Sequence, residues 1–259
     1  MRILISSILL ALSTAITPLY AQDKVGIVLM HGKYGTASDS SPVGELAQYL
    51  RSNDMIVITP DMPWHRERVL DKNYEDSMLE IDAAVKALKS KGATKIVVGG
   101  HSMGANAATG YGTLRDGLAG ILAIAPGHVP ELQGYQNRID NDWQRAQAMV
   151  EAGKGQEKDD FKDRNQGSNS EIYVKAEIYL SWFDPEGSAV MPDNVSALKP
   201  NTPLMWIIGE DDRMYDRGPD YAFSEAPEHA KNSYTVVSGG HKETPEIGNK
   251  EILNWLKSL

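Results

Sequence analysis

One short stretch places a serine where it could act as a nucleophile. Residues 100–104 match the pattern Gly-x-Ser-x-Gly, with Ser102 at the centre. An apolar run precedes the pattern and small residues follow it, which predicts a strand, a sharp turn and a helix. Glycine at the two ends of the pattern lets the strand and the helix pass close to each other. We expect the turn to hold the Ser102 hydroxyl above a sheet, where a base can reach it.

A base and an acid for this serine occur further along the chain. A serine hydroxyl is a weak nucleophile at neutral pH, so it needs a base and a group that orients the base. His241 follows the last predicted strand in a glycine-flanked loop and is the candidate base. The candidate acid is Asp212, because the turn after Gly209 needs room before a carboxylate can point back toward the histidine. Asp211 and Glu210 remain alternatives for this role.

Buried strands that alternate with helices are predicted to position these residues. Short apolar runs rich in β-branched residues indicate strands, and apolar residues at helical spacing indicate helices between them. The alternation predicts an α/β fold in which helices flank a mostly parallel sheet, with functional residues past the carboxyl ends of the strands. The predicted strands are 24–32, 55–60, 95–99, 120–127, 203–209 and 234–237, and the predicted helices are 42–50, 74–91, 105–114, 140–152, 173–183, 219–230 and 246–259.

Residues 128–199 interrupt this alternation. The polar stretch 153–170 is predicted to be a loop between the helices 140–152 and 173–183. Aromatic residues in the second helix favour packing against the body of the protein. We therefore interpret 128–199 as a helical and loop insertion, a cap or lid over the active site, within a single domain that spans residues 22–259.

Four features together resemble the α/β-hydrolase superfamily, over nearly the whole chain after residue 21. They are the elbow at 100–104, the order Ser-Asp-His, the strand that ends in His31 and Gly32, and the spacing from Gly209 to Asp212. The resemblance implies an oxyanion hole made from two backbone N–H groups, those of Met103 and Lys33.

Several other aromatic and histidine residues have two interpretations each. Tyr34, Trp64, His128, Trp182 and Phe183 are candidate substrate-pocket residues, and each could instead belong to the core or the surface. His31 is interpreted as structural, with its ring bonded to backbone near the oxyanion loop. His101 is expected to pack beside the nucleophile, and His65 is assigned to either the pocket or the solvent.

The N-terminal segment indicates the cellular location, and the net charge argues against one class of partner. Residues 1–21 combine Arg2 with an apolar run shorter than a membrane-spanning helix, which predicts a signal peptide cleaved near Ala21, without stable membrane insertion afterwards. The alternative for this segment is an uncleaved membrane anchor. The absence of cysteine from the sequence is compatible with a secreted or periplasmic enzyme. A net charge of -9 argues against nucleic acid as a partner.

These features predict a carboxylesterase-like serine hydrolase that acts on a small-molecule acyl substrate. No metal-ligand spacing or phosphate-binding loop is present in the sequence, so no metal or other cofactor is expected. A thioesterase, an amidase or a serine peptidase of the same fold is the nearest alternative. The alternative from another class is a non-catalytic binding protein. The sequence does not identify the natural substrate or the oligomeric state.

Overall fold

A six-stranded sheet organises residues 23–259, the part of the chain that the computed structural model describes. The predicted signal peptide, residues 1–21, lies outside the described residues. Along the chain the strands are β1 (Val25–Met30), β2 (Ile56–Ile58), β3 (Lys95–His101), β4 (Gly120–Ile124), β5 (Lys158–Asn165), β6 (Ser168–Lys175), β7 (Leu204–Gly209) and β8 (Ser233–Val237).

The sheet is parallel throughout, as the alternation of strands and helices predicts. Its order is β2-β1-β3-β4-β7-β8, while β5 and β6 form a separate antiparallel hairpin. Met30 of β1 lies opposite Gly100 of β3, and His101 of β3 lies opposite Ile124 of β4. These three strands therefore end at the same edge of the sheet, and the residues that follow them meet there.

Helices cover both faces of the sheet because alternate strand side chains point to opposite faces. Ile27 and Leu29 face the apolar stripes of α1 and α9, whereas Val28 and Met30 face α2 and α3. Within residues 23–259, no helix combines the length and apolar character needed to cross a bilayer. The helices are α1 (Pro42–Arg51), α2 (Tyr74–Ser90), α3 (Met103–Leu114), α4 (Gln133–Gln136), α5 (Trp143–Glu151), α6 (Ala176–Phe183), α7 (Met191–Ser196), α8 (Thr244–Ile247) and α9 (Asn249–Ser258).

The prediction of a loop over residues 153–170 is wrong, because β5 and the first three residues of β6 lie in that range. The hairpin is mostly polar, and only alternate positions such as Phe161 and Ile172 are buried, so it lacks the continuous apolar run of a core strand. Gln166 and Gly167 form its turn with φ of 51° and 88°, as a two-residue hairpin turn of type I′ requires.

Three predicted helices have different bounds in the structure. The helix predicted at 173–183 begins at Ala176, because the three residues before Ala176 belong to β6. The range 219–230 contains only two short 3-10 turns, and Ala226 before Pro227 is extended, a conformation that a following proline favours. The helix predicted at 246–259 is divided at Gly248 into α8 and α9.

Candidate active site

Ser102 occupies the sharp turn between β3 and α3. Its backbone has φ of 56° and ψ of -117°, a strained conformation for a residue with a side chain. A Cβ at Gly104 would lie 2.7 Å from the Met30 carbonyl oxygen, and one at Gly100 would lie 2.6 Å from the Gly104 carbonyl carbon. The turn therefore needs glycine at both ends of the Gly-x-Ser-x-Gly pattern.

Strained backbone is concentrated where the central strands end. Tyr34 follows β1 with φ of 55°, Ser102 follows β3, and Ala125 and His128 follow β4 with φ of 39° and 63°. Positive φ is rare for residues with side chains, and it persists where the surrounding structure holds the backbone in place. The carboxyl edge of the sheet thus has the geometry expected of a functional site in an α/β fold.

Asp212 is the carboxylate that contacts His241. Its Oδ2 atom lies 2.6 Å from His241 Nδ1, and its Oδ1 accepts a hydrogen bond of 2.8 Å from the Met214 N–H. Asp212 is 6% exposed, whereas Asp211 and Glu210 are exposed. This geometry favours Asp212 over its two neighbours as the acid that orients His241.

The Asp212 carboxylate is held in its charged form. Burial raises the pKa of this group, but the hydrogen bond from His241, the charge on His241 and the Met214 N–H together lower it more. The net result is a pKa below the usual value of an aspartate. An ionised Asp212 can therefore stabilise a positive charge that forms on the His241 ring.

The second ring nitrogen of His241 lies on the side of the ring near Ser102. His241 Nε2 is buried, and it has no hydrogen-bond partner among residues 23–259. A Cβ placed on Gly127 would lie 2.8 Å from Ser102 Oγ and 3.5 Å from His241 Cε1, so the hydroxyl and the ring flank the same glycine. The two groups are neighbours without a hydrogen bond, a loose arrangement that is common in a site without substrate.

Two further histidines form hydrogen bonds with backbone atoms of the site. Burial and the neighbouring His241 lower the pKa of His101 to about 3, and the neutral ring bonds the His241 carbonyl oxygen at 2.8 Å. His31 Nε2 accepts the Met62 N–H at 3.2 Å, which leaves Nδ1–H to donate to the Gly32 carbonyl oxygen at 2.9 Å. These rings match the packing and structural interpretations made from the sequence.

The N–H groups of Lys33 and Met103 are available to bind an oxyanion. Both residues line a cavity together with Ser102. Neither N–H donates to an acceptor in the part of the chain that the structure describes. Met103 is the first residue of α3, where backbone N–H groups lack helical acceptors and the helix dipole favours negative charge.

The Lys33 side chain joins the loop after β1 to the hairpin. Its Nζ atom lies 2.6 Å from Asp163 Oδ1, and both side chains are buried. The Tyr34 hydroxyl donates to Asp163 Oδ2 at 2.6 Å, and the Asn165 amide donates to the Lys33 carbonyl oxygen at 3.4 Å. Burial raises the pKa of Asp163, but Lys33 and Tyr34 lower it more, so the carboxylate is charged.

Two cavities flank Ser102. The larger, of about 390 Å³, extends toward His128 and the hairpin turn, and the smaller, of about 340 Å³, extends toward Tyr34 and the start of α1. Residues 23–259 contain no group of three or more His, Cys, Asp or Glu side chains that could hold a metal ion. Both cavities share Lys33, Ser102, Asn165, Gln166 and Lys242.

Three of the five candidate pocket residues lie in the core instead. His128 lines the larger cavity and Tyr34 the smaller one, but Trp64, Trp182 and Phe183 are fully buried and line neither. The rings of Trp64 and Trp182 meet edge to face at 5.5 Å, and Phe183 stacks on Tyr179 at 4.0 Å. Their large apolar area is buried by packing the insertion onto the sheet. His65 also lines neither cavity.

Sequence reasoning missed the residues that the hairpin brings to the site. Arg164, Asn165, Gln166 and Gly167 line the larger cavity, and Asp163 lies directly behind them. The only sequence signal for the hairpin is the alternation of apolar and polar residues on either side of Gln166 and Gly167. This pattern is weak because most of the residues there are polar. Arg213, which follows the candidate acid, also lines this cavity.

Comparison with known proteins matches this architecture. A sequence model described as the alpha/beta hydrolase family matches residues 27–247. A carboxyl esterase from Bacillus coagulans superposes with a TM-score of 0.65 at 14% identity, over 93% of this chain and 92% of that one. A monoacylglycerol lipase from Paleococcus ferrophilus gives 0.62 at 19% identity, over 90% and 94% of the two chains.

A thioesterase domain from the curacin biosynthetic pathway shares the fold as well. Its TM-score is 0.56 at 15% identity, and 92% of each chain is covered. A search of curated proteins gives no match. At these identities the solved structures establish the fold alone.

Proposed function

Because this chain belongs to the alpha/beta hydrolase family, we propose that it is a serine hydrolase that cleaves a carboxylic ester or related acyl compound. The observation that carries the proposal is the pairing of His241 Nδ1 with Asp212 at 2.6 Å, which leaves Nε2 free beside Ser102. The neighbours named as esterase and lipase support an ester as the substrate.

In this proposal the three side chains divide the work of acyl transfer. Ser102 Oγ attacks the acyl carbonyl carbon while His241 Nε2 takes the hydroxyl proton. Asp212 holds the ring in the tautomer that exposes Nε2 and stabilises the imidazolium. His241 then gives its proton to the departing alcohol, and the acyl group stays on Ser102. His241 next deprotonates a water molecule, which attacks the acyl carbon. The bond to Ser102 Oγ breaks, His241 returns the proton to Oγ, and the acid is released.

The Lys33 and Met103 N–H groups stabilise the negative oxygen of the tetrahedral intermediates. Loss of one such donor typically costs about 3 kcal/mol of barrier stabilisation. The two cavities on either side of Ser102 are suited to hold the acyl and alcohol portions of a small-molecule ester. We propose no cofactor and no nucleic-acid partner. We also propose that the segment 1–21 directs the protein to a secreted or periplasmic location, which N-terminal sequencing of the protein from the periplasm and from the medium would test.

Stoichiometric labelling by a fluorophosphonate tests the proposed nucleophile. We expect the protein to gain one phosphonyl group on Ser102, and Ser102→Ala to gain none. Ser77→Ala is a matched control, because Ser77 is also buried but lies in α2, outside both cavities. A folded protein that takes up no label and turns over no p-nitrophenyl ester would instead be a non-catalytic binding protein.

The leaving group is tested with a matched series of substrates. An ester, a thioester and an anilide with the same acyl chain separate an esterase from a thioesterase and from an amidase or peptidase. We expect kcat/KM to be highest for the ester. A higher value for the thioester would favour the activity named for the curacin neighbour.

A further inference from the structure

Three arginines beside the larger cavity lack an acidic partner. Arg138, Arg164 and Arg213 have no carboxylate oxygen within 4.0 Å among residues 23–259. Arg138 and Arg213 are exposed, but Arg164 is half-buried, and a partly buried guanidinium is normally paired because desolvating an uncompensated charge costs free energy. Arg66 and Arg217 also lack such a partner but do not line this cavity, whereas the remaining arginines among residues 23–259 are paired, as in Arg68–Glu80, Arg115–Asp82 and Arg145–Asp142.

The hairpin turn holds Arg164 and Arg213 in defined positions. Arg164, at the end of β5, is half-buried, and its Nη1 donates to Asn169 Oδ1 at 2.6 Å. The Arg213 guanidinium lies over Gly167, where a Cβ would come within 2.6 Å of Nη2. The Asn169 amide in turn donates to the Arg138 carbonyl oxygen at 3.2 Å. Gly167 thus leaves space for a cation at the rim of the cavity.

The charges of this group repel one another. Desolvation, followed by the charges of Arg138 and Arg213, lowers the pKa of Arg164. Such a group is unexpected in a chain whose net charge is -9. An anion bound between the guanidinium groups would relieve the repulsion.

The lining of the same cavity also includes acidic residues. Asp211 and Glu243 gather around Gly240, where a Cβ would lie 3.1 Å from Glu243 Oε2 and 4.0 Å from Asp211 Cβ. Asp212 is already bonded to His241. Lys242 adds one more cation to the lining. The hairpin side of the cavity therefore presents two guanidinium groups toward the space that also contains Ser102.

We propose that Arg164 and Arg213 bind a carboxylate on the substrate, so that the enzyme prefers esters carrying a carboxylate to neutral esters of the same size. A guanidinium fork matches the two oxygens of a carboxylate and binds them through charge-assisted hydrogen bonds. This substrate class rests on the proposed serine hydrolase activity. The carboxylate belongs either to the acyl group or to the alcohol, and substrate pairs distinguish the two.

The experiment compares kcat/KM within two matched pairs at low salt. The first pair is p-nitrophenyl hydrogen glutarate and p-nitrophenyl pentanoate, which differ in the acyl group. The second is 4-acetoxybenzoate and its methyl ester, which differ in the leaving group. We expect one pair to favour the anionic ester by about tenfold or more, the effect of a charge-assisted hydrogen bond. The preference should fall as salt is raised.

The variants Arg164→Gln, Arg213→Gln and the double variant locate the preference. We expect the anionic-to-neutral ratio to fall about tenfold in the double variant, while a folding defect would lower both rates and leave the ratio unchanged. Lys86→Gln, an exposed site in the middle of α2, makes the same change in charge as a control. A ratio near one in both pairs, or a ratio that survives in the double variant, overturns the inference.

Calorimetry separates this inference from the proposed activity. Ser102→Ala protein is titrated with the anionic and the neutral ester of each pair, so that binding is measured without turnover. Tighter binding of one anionic ester, lost in the double arginine variant, supports the carboxylate site even if Ser102 is not a nucleophile. Equal binding within both pairs contradicts the site, whatever the labelling of Ser102 shows.

Discussion

Asp211 and Asp212 have identical side chains, so only their surroundings can give them different roles. Asp212 is buried against His241 and bonded to the Met214 N–H, whereas Asp211 is exposed and makes no side-chain bond to His241. We expect Asp212→Asn to lower kcat for ester hydrolysis by about 10⁴-fold, because an amide favours the wrong histidine tautomer. Asp211→Asn should change kcat by less than about threefold.

Steady-state kinetics on both variants decides between the two carboxylates. Thermal unfolding of each variant shows whether the fold is retained. A larger loss from Asp211→Asn than from Asp212→Asn would transfer the role to Asp211 and contradict the arrangement around His241.

A site residue could be assigned from the sequence when its role is marked by neighbouring residues. It could not be assigned when its role depends on contacts with distant residues. Ser102 lies in a five-residue pattern, and His241 is marked by its place after the last strand. Asp212 stood beside two alternatives, because its selection depends on a turn in which its N–H bonds the Gly209 carbonyl oxygen at 3.0 Å. Asp163 left no local signal, since its partner Lys33 is 130 residues away in the sequence.

The elbow depends on close contact between β1 and α3. A Cβ at Gly104 would lie 2.7 Å from the Met30 carbonyl oxygen and 2.8 Å from that of His31. We expect Gly104→Ala to lower the free energy of unfolding by about 1–3 kcal/mol, because these backbone atoms must move. The rate of fluorophosphonate labelling should also fall, since Met30 and His31 directly precede the loop that carries the Lys33 N–H.

Gly134 provides the matched control for this substitution. It lies in α4, and a Cβ there meets no described atom within 4 Å. Gly134→Ala should leave both the free energy of unfolding, measured in urea, and the labelling rate close to those of the parent protein. Similar losses from the two substitutions would argue against a specific role for the contact at Gly104.

The hairpin is attached to the loop after β1 by the buried Lys33–Asp163 pair. Asp163→Asn leaves the Lys33 ammonium buried without a counter-charge, so we expect a loss of about 3–5 kcal/mol in the free energy of unfolding. Replacing both partners, as in Lys33→Met with Asp163→Leu, should recover much of this loss because no charge remains buried. Urea unfolding of Lys33→Met, of Asp163→Leu and of the double variant measures the coupling.

An additive outcome would contradict a direct interaction between the two side chains. Activity gives a second reading, because the same pair holds the loop that carries the Lys33 N–H. We expect kcat to fall in Asp163→Asn with little change in KM, as for an interaction that matters in the transition state. A change confined to KM would mean that the hairpin contributes to binding alone.

At the scale of the whole molecule, the sheet was predictable and the insertion was not. The inner strands β1, β3, β4 and β7 are buried on both faces, so each is predicted by its own apolar run. The hairpin instead is stabilised by its turn, by alternate buried positions and by contacts with distant residues. Likewise, Trp64 and Trp182 look the same in sequence whether they line a cavity or meet each other in the core. What the insertion places over the site thus depends on tertiary contacts.

The stability of the molecule should depend on pH through its buried neutral histidines. Burial, with the charge of Lys33, lowers the pKa of His128 to about 3, and burial with His241 does the same for His101. The unfolded chain protonates each ring near pH 6.5, so folding is most favourable above that pH and loses free energy as pH falls toward 3. The carboxylates of Asp212 and Asp163, with lowered pKa values, lose their contribution only below about pH 4.

Urea unfolding between about pH 6 and pH 4.5 therefore detects the histidines when variants are compared, because the opposite contribution of Glu131, whose pKa burial raises, is common to them all. Each buried ring should contribute a slope of about 1 kcal/mol per pH unit, with the free energy of unfolding falling as pH falls. His128→Asn, which suits the positive φ of this position, should remove one such slope whatever it costs in stability at neutral pH. An unchanged slope in His128→Asn would mean that His128 can be protonated in the folded protein, with the insertion packed less tightly over it than its bond to the Trp182 carbonyl oxygen implies.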